Sequence, residues 1–228
     1  MPVKPRAIVY VDAFNLYYGA LQGTEFKWLD LEMLFDRLLP EFQVQRIYYF
    51  TAQLQAKANP RDPGAPMRQK TYLNALSTLR RVKVVFGNFM VHPSSAPRRR
   101  KARIFGIRLP KTWSFGQGVK IWKVEEKGSD VSLGTRMTLD AARGAADIYV
   151  MVTSDSDLAP TVEMIQKETG AKLAHIPPHS KLSKRLNACD FEFTVRISRG
   201  ALRASQLPEE IALVNTGAVI SKPADWKK

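Results

Sequence analysis

The chain has 228 residues, 45% of them hydrophobic, with 35 Lys/Arg against 21 Asp/Glu and a formal net charge of +14. That length suits one domain of roughly 150 residues with extensions, or one larger domain. No run of about 18 apolar residues exists, which argues against a membrane-spanning helix, and one cysteine, Cys189, excludes an intrachain disulfide and fits a reducing, cytoplasmic setting.

Residues 1–5 read as a loose tail. Residues 6–11 (RAIVYV) are an apolar, β-branched run typical of a strand buried on both faces. The run is short and ends in Asp12, unlike the core of a signal peptide. A short helix is expected over 15–21, with Phe14, Tyr17 and Tyr18 packing into the core. Asp30 reads as the cap of a helix over 31–39, where Leu31, Leu34, Phe35 and Leu38 recur at helical spacing, and Pro40 ends it. Residues 44–51 (VQRIYYFT) form a second strand. Two strands separated by helices predict a parallel sheet.

Residues 53–66 hold three prolines and a glycine and read as a surface loop, followed by a helix over 67–80 and a third strand over 82–91. Residues 92–97 are Pro/Ser-rich and read as irregular. Arg98, Arg99, Arg100, Lys101 and Arg103 form a dense basic run. Residues 104–109 and 119–124 are expected to pair as a hairpin carrying Trp113, Phe115 and Trp122. Residues 61–127 carry 16 Lys/Arg against 3 Asp/Glu, whereas the remainder carries 19 against 18. The excess charge is thus segregated, an electrostatic footprint for a polyanion, and basic residues interleaved with aromatics suit single-stranded nucleic acid.

A helix follows over 131–142, with Asp130 at its start. Read alone, Asp130 is a helix cap. Asp140 lies ten residues on, about 15 Å along the helix, too far for both to serve one site. Asp147 reads as structural. Residues 148–153 are another buried-strand run, ending in Ser154-Asp155-Ser156-Asp157. A cap uses one side chain, and this loop offers four polar ones. Carboxylates just past the C-terminal end of a buried parallel strand stand where open α/β sheets bind ligands. Asp12 occupies the same position after the first strand. Converging carboxylates are costly unless a cation neutralises them, and all-oxygen ligation suits Mg²⁺ or Mn²⁺. His175 and His179 read as loop polarity, since no third ligand accompanies them.

A helix over 158–169 closed by Gly170, a strand over 171–176, a short basic helix over 180–187 and an edge strand over 188–193 complete the pattern. Residues 196–228 read as an extension: a short helix over 196–204, a turn at 207–210 and a tail.

Three blocks in order, VDAFNLYY at 11–18, KGSDVSLGTRMTLDA at 127–141 and ADIYVMVTSDSDL at 146–158, resemble the signature blocks of the NYN domain, a branch of the PIN-like nuclease superfamily. The resemblance covers about residues 6–195. It implies a Rossmann-like three-layer α/β fold with a central parallel sheet in the order 3-2-1-4-5. It also implies a metal-dependent ribonuclease, an enzyme hydrolysing RNA phosphodiester bonds at strand-end acids. By position, Asp12, Asp130, Asp155 and Asp157 would be the catalytic and metal-binding carboxylates, with Asn15 in support and Thr153 and Ser154 lining the site. Lys127, next to the KGSD block, and the basic run Arg98 to Arg103 are candidate RNA phosphate contacts. The basic, hairpin-like insertion over about 92–120 is longer than the family's usual connection, so its role is not implied by the resemblance. The competing reading is a catalytically inert module that binds single-stranded RNA through that insertion. A homodimer is left open, and no membrane partner is expected.

Overall fold

The computed structural model describes residues 3–54, 62–96, 103–104, 107–108, 119–179, 183–213 and 217–226, with the backbone alone described over 88–127. Strand β1 (Arg6–Asp12) sits at the centre of the sheet, and its alternation sets the layers. Ala7, Val9 and Val11 point into one apolar cluster, while Ile8 and Tyr10 point into another on the opposite face. A strand buried on both faces needs helices on both. The first face is covered by α1 (Ala13–Leu16), α2 (Leu31–Leu38), α3 (Ala65–Leu76) and α7 (Arg199–Arg203). The second is covered by α4 (Ser129–Ala142), α5 (Ala159–Thr169) and α6 (Lys184–Asn187).

β1 pairs in parallel with β2 (Gln43–Ala52) on one side and β7 (Ile148–Val152) on the other. β2 continues to β3 (Val82–Ala96), and β7 to β8 (Leu173–His175) and β9 (Phe193–Thr194), all parallel. Counting parallel strands along the chain, the order is 3-2-1-4-5-6, the expected order with one more edge strand. The chain reverses direction across the sheet between β1 and β7, and the crevice at the carboxyl ends of those two strands is the switch point where such folds bind ligands.

Local sequence accounts for the ends of the elements. Asp30 caps α2, its carboxylate accepting from the Met33 amide at 2.9 Å, and Leu31, Leu34 and Phe35 turn inward. Gly170 closes α5 with φ 63°, a left-handed conformation that favours glycine.

The insertion departs from expectation. β3 does not stop at Val91 but runs to Ala96, pairing antiparallel with β6 (Val119–Lys127). Residues 119–124 therefore return against 91–96, not against 104–109; β4 (Arg103–Ile104) pairs with β5 (Ile107–Arg108) instead. Pro93 falls inside this extension of the strand. It is tolerated because the pairing of β3 with β2 ends at Gly87, so beyond that point one edge of β3 has no ladder with β2 to disrupt. The basic run Arg98 to Lys101 lies outside the described residues, and the side chains of Arg103 and Lys127 do as well.

The C-terminal segment is not a tail. Leu202, Leu207 and Trp226 are buried in the same cluster as α1 to α3, and Trp226 packs on Trp28 and Tyr72 with ring centres 6.3 and 6.0 Å apart. Residues 210–212 and 219–221 add a small hairpin, β10 (Glu210–Ala212) with β11 (Val219–Ser221). Among the described residues no helix is long and apolar enough to cross a membrane.

Candidate active site at the carboxyl ends of the central strands

Asp12 is the last residue of β1 and also the cap of α1, which keeps its carboxylate at the sheet edge. One oxygen accepts from the Asn15 amide at 2.9 Å and the other from the Thr153 hydroxyl at 3.0 Å. It is only 7% exposed. Burial pushes its carboxyl upward, the hydrogen bonds from Asn15 and Thr153 pull it down, and the charge of Asp155 adds to the rise.

Thr153 ties the two strand ends together. It is fully buried just past β7, donates to Asp12 and accepts from the Asp155 amide at 3.1 Å. Asp155 in turn starts a short 3₁₀ turn over 156–158 by accepting from the Asp157 amide at 2.9 Å. Asn15 spans the crevice from the α1 side, its carbonyl oxygen accepting from the Ser154 amide at 2.9 Å. The resemblance gave Asn15 a supporting role; geometrically it is a brace between α1 and the SDSD loop.

Asp130 arrives from the insertion. Gly128, at φ 94°, precedes α4 as its N-terminal residue and offers no side-chain cap, so Asp130 is not the cap that it resembles when read alone. It sits in the first turn, and its carboxylate makes no hydrogen bond or ion pair among the described residues. Its carboxyl is pushed up to about 6, first by partial burial and then by the charges of Asp12, Asp155 and Asp157. Asp12, Asp155 and Asp157 thus stand near enough for their charges to be felt at Asp130. Beside it the Ser129 hydroxyl is buried with no hydrogen-bond partner among the described residues.

The donor chemistry of this group fits a hard divalent cation: carboxylate and hydroxyl oxygens, negatively charged and mutually repelling. Among the described residues no three His, Cys, Asp or Glu stand close enough together to form a metal cage. Mg²⁺ does not require one, since it is usually held by one or two carboxylates with waters and substrate phosphates.

Two acids with other duties are separated from this site. Asp140, at the far end of α4, is buried and held by Arg136 (2.8 Å) and the Tyr10 hydroxyl (2.9 Å). Asp147 pairs with Arg6 at 3.0 Å, which lowers its carboxyl and raises the guanidinium.

His175 is a residue whose importance the sequence did not signal. It is not loop polarity but part of buried β8, where its Nε2–H donates to the Thr153 carbonyl at 2.8 Å and its ring stacks on Phe191 at 4.9 Å. Burial lowers its pKa, favouring the neutral imidazole. His179 also reaches the site loop, its amide donating to the Ser154 hydroxyl at 3.2 Å. The aromatic trio differs from expectation in part: Tyr17 packs against the core cluster as expected, but Tyr18 is 54% exposed, and all three line an open cleft.

The NYN domain family model matches residues 6–198, which includes every candidate carboxylate. The chain belongs to the NYN domain family. Membership brings a nuclease-like fold, and divalent metals are general among NYN and PIN-like nucleases. The chain is also similar to the 6-hydroxy-3-succinoylpyridine 3-monooxygenase HspA of Pseudomonas putida (strain DSM 28022 / S16), at 32% identity over 92% of this chain and 72% of that protein. The fold is similar to the crystal structure of a protein of unknown function from Vibrio parahaemolyticus RIMD 2210633. That match has a TM-score of 0.53 and 18% identity, and covers 91% of this chain and 99% of the other. This second likeness bears on the fold alone.

Proposed function

We propose that this NYN protein is a metal-dependent ribonuclease acting on single-stranded RNA by internal cleavage. The observation that carries the reading is the Asp130 carboxyl, raised first by burial and then by the charges of Asp12, Asp155 and Asp157, a concentration of acids that costs stability unless a cation is bound. Asp12, Asp130, Asp155 and Asp157 would hold Mg²⁺ or Mn²⁺, which when bound supplies Lewis-acid stabilisation of a phosphoryl oxygen and a lowered pKa for water. The chain's own residues position the reaction. Thr153 orients Asp12 and the Asp155 amide together, so the two strand-end acids are aimed as a unit. Asn15 fixes the Ser154 amide, and the Ser154 hydroxyl, which accepts from the His179 amide, keeps its proton for a substrate contact. Lys127 and the run Arg98 to Arg103 raise the local concentration of RNA and make its binding salt-dependent.

The test is cleavage of labelled single-stranded RNA by the full chain with Mn²⁺, Mg²⁺ or EDTA, beside Asp12→Asn and Asp155→Asn. The reading expects cutting that needs metal and falls about a hundred-fold or more in either variant, as loss of a preorganised transition-state contact does. Salt-sensitive binding with no cutting would sink it in favour of an inert RNA-binding module.

A second reading is favoured by the relative's name and by the aromatic-lined cleft beside Asp12. In it the chain acts oxidatively on a small heteroaromatic acid, as that name says of the relative. Turnover of 6-hydroxy-3-succinoylpyridine without RNA cleavage would support it.

A further inference from the structure

Beside the acidic site lies an open cleft with a volume of about 90 Å³. Phe14, Tyr17, Tyr18, Tyr49, Tyr72 and Trp226 are the rings that line it, and Lys27 and Arg68 are its cations. We propose that this cleft holds the nucleobase of a nucleotide whose phosphate lies at the acidic site. The proposal deepens the ribonuclease reading and rests on it.

Position is the first support. Ala13 and Phe14 follow Asp12 directly, so one wall of the cleft begins where the acidic site ends. On the floor, Tyr49 is buried, and the charge of Asp12 adds to the burial that pushes its hydroxyl upward. The two sites are therefore electrostatic neighbours.

The second support is the backbone that presents the rings. After one α-helical turn the chain widens into a π-helix over Tyr17–Leu21. Such turns are rare and occur often at functional sites. Here the widened turn carries an exposed Tyr18, whose ring lies near-parallel to Phe14 (6.5 Å, 21°) and edge-on to Tyr17 (5.2 Å, 79°). A core-packing role would bury this ring.

The third is chemical complementarity. Aromatic faces stack on any base, and cations meet the phosphate. Arg68 is already engaged by Asp62 and by Asp225 (3.0 Å). Lys27 has no acidic partner among the described residues and gives the cleft a positive charge that favours an anionic nucleotide. Gln69, the amide in the cleft, is spent at both ends: it accepts from the Leu54 amide at 2.8 Å and donates to the Ala52 carbonyl at 2.9 Å. The cleft thus reads a ring by shape and stacking, with little hydrogen-bond code, and tolerance among bases is expected.

The experiment titrates the full chain in Mg²⁺ with nucleoside 5′-monophosphates, following tryptophan fluorescence, with ribose 5-phosphate as the probe that lacks a base. Saturable quenching by the nucleotides is expected, with ribose 5-phosphate about ten-fold weaker or worse. Tyr18→Ala, at a ring more than half exposed and so dispensable to the fold, should weaken nucleotide binding about five-fold or more. In the cleavage assay the same variant should raise KM with kcat little changed. Equal binding of ribose 5-phosphate, or an unchanged affinity in Tyr18→Ala, overturns the proposal. So does binding of 6-hydroxypyridine-3-carboxylate in place of the nucleotides. Base-dependent binding lost in Tyr18→Ala, in a protein that cuts no RNA with Mn²⁺, supports the cleft as a base site and overturns the ribonuclease reading alone.

Discussion

Replacing Asp130 by Asn removes one charge from a group of four, and the consequence can be worked from the carboxyl's position. Its folded-state pKa of about 6 stands above the ordinary 3.8. At 1.36 kcal/mol per pH unit that rise corresponds to about 3 kcal/mol of destabilisation. The sign follows from linkage. A carboxyl that holds its proton more tightly when folded costs nothing below pH 3.8, where both states are protonated, and its full penalty is present above pH 6. Asp130 is an exposed residue, so solvent screening cuts the figure by roughly half. Its place in the first turn of α4 recovers a few tenths of a kcal/mol from the helix dipole. About 1 kcal/mol remains. In EDTA at pH 7.5, Asp130→Asn should therefore melt about 2–4 °C above the unsubstituted protein, and the difference should vanish by pH 4. With Mn²⁺ present the order should reverse, because the unsubstituted site gains a ligand that the variant binds less well. Paired thermal melts across this pH range, with and without Mn²⁺, are the assay. A variant that melts no higher than the unsubstituted protein in EDTA at pH 7.5 would refute the reading that burial and the neighbouring acids disfavour the Asp130 charge.

Three further outcomes are expected. Thr153→Val should cost about 1–3 kcal/mol by stranding the Asp155 amide and removing a bond to Asp12, and should reduce RNA cleavage more than stability alone explains; denaturant melts beside single-turnover cleavage separate the two effects. Asp140→Ala should lower stability by about 2 kcal/mol, since it strands the Tyr10 hydroxyl and Arg136, while the folded fraction keeps its affinity for Mn²⁺; calorimetric metal titration at low temperature checks this. Trp226→Ala should cost about 3 kcal/mol by opening a cavity against Trp28 and Tyr72, an effect visible in urea unfolding and absent if residues 217–226 were a loose tail.

Much of the fold was legible because its signals are local. β1 and β7 are apolar runs closed by acids, and a strand buried on both faces needs no partner information to be recognised. Alternating strands and amphipathic helices then imply a parallel sheet, and the C-terminal ends of its central strands are where ligand-facing acids belong. Asp12, Asp155 and Asp157 could be singled out on those grounds. Asp130 could not. Alone it looks like a helix cap, and only the three blocks in order linked it to the other acids. The structure supplies the reason: Gly128 takes the cap position, so the Asp130 carboxylate is not spent as a cap and feels the charges of the other acids.

What the sequence by itself determined is the α/β class, the strand-end carboxylates and the segregated charge, each written in residues that are neighbours along the chain. What only the tertiary structure decided is which distant segments meet. The return of β6 against the extended β3, the bracing of Thr153 by His175, the opening of Tyr18 onto a cleft and the docking of Trp226 all join residues far apart in the chain. Local periodicity carries no record of such pairings. Their free energy comes from burial and hydrogen bonds that exist only once the sheet has assembled.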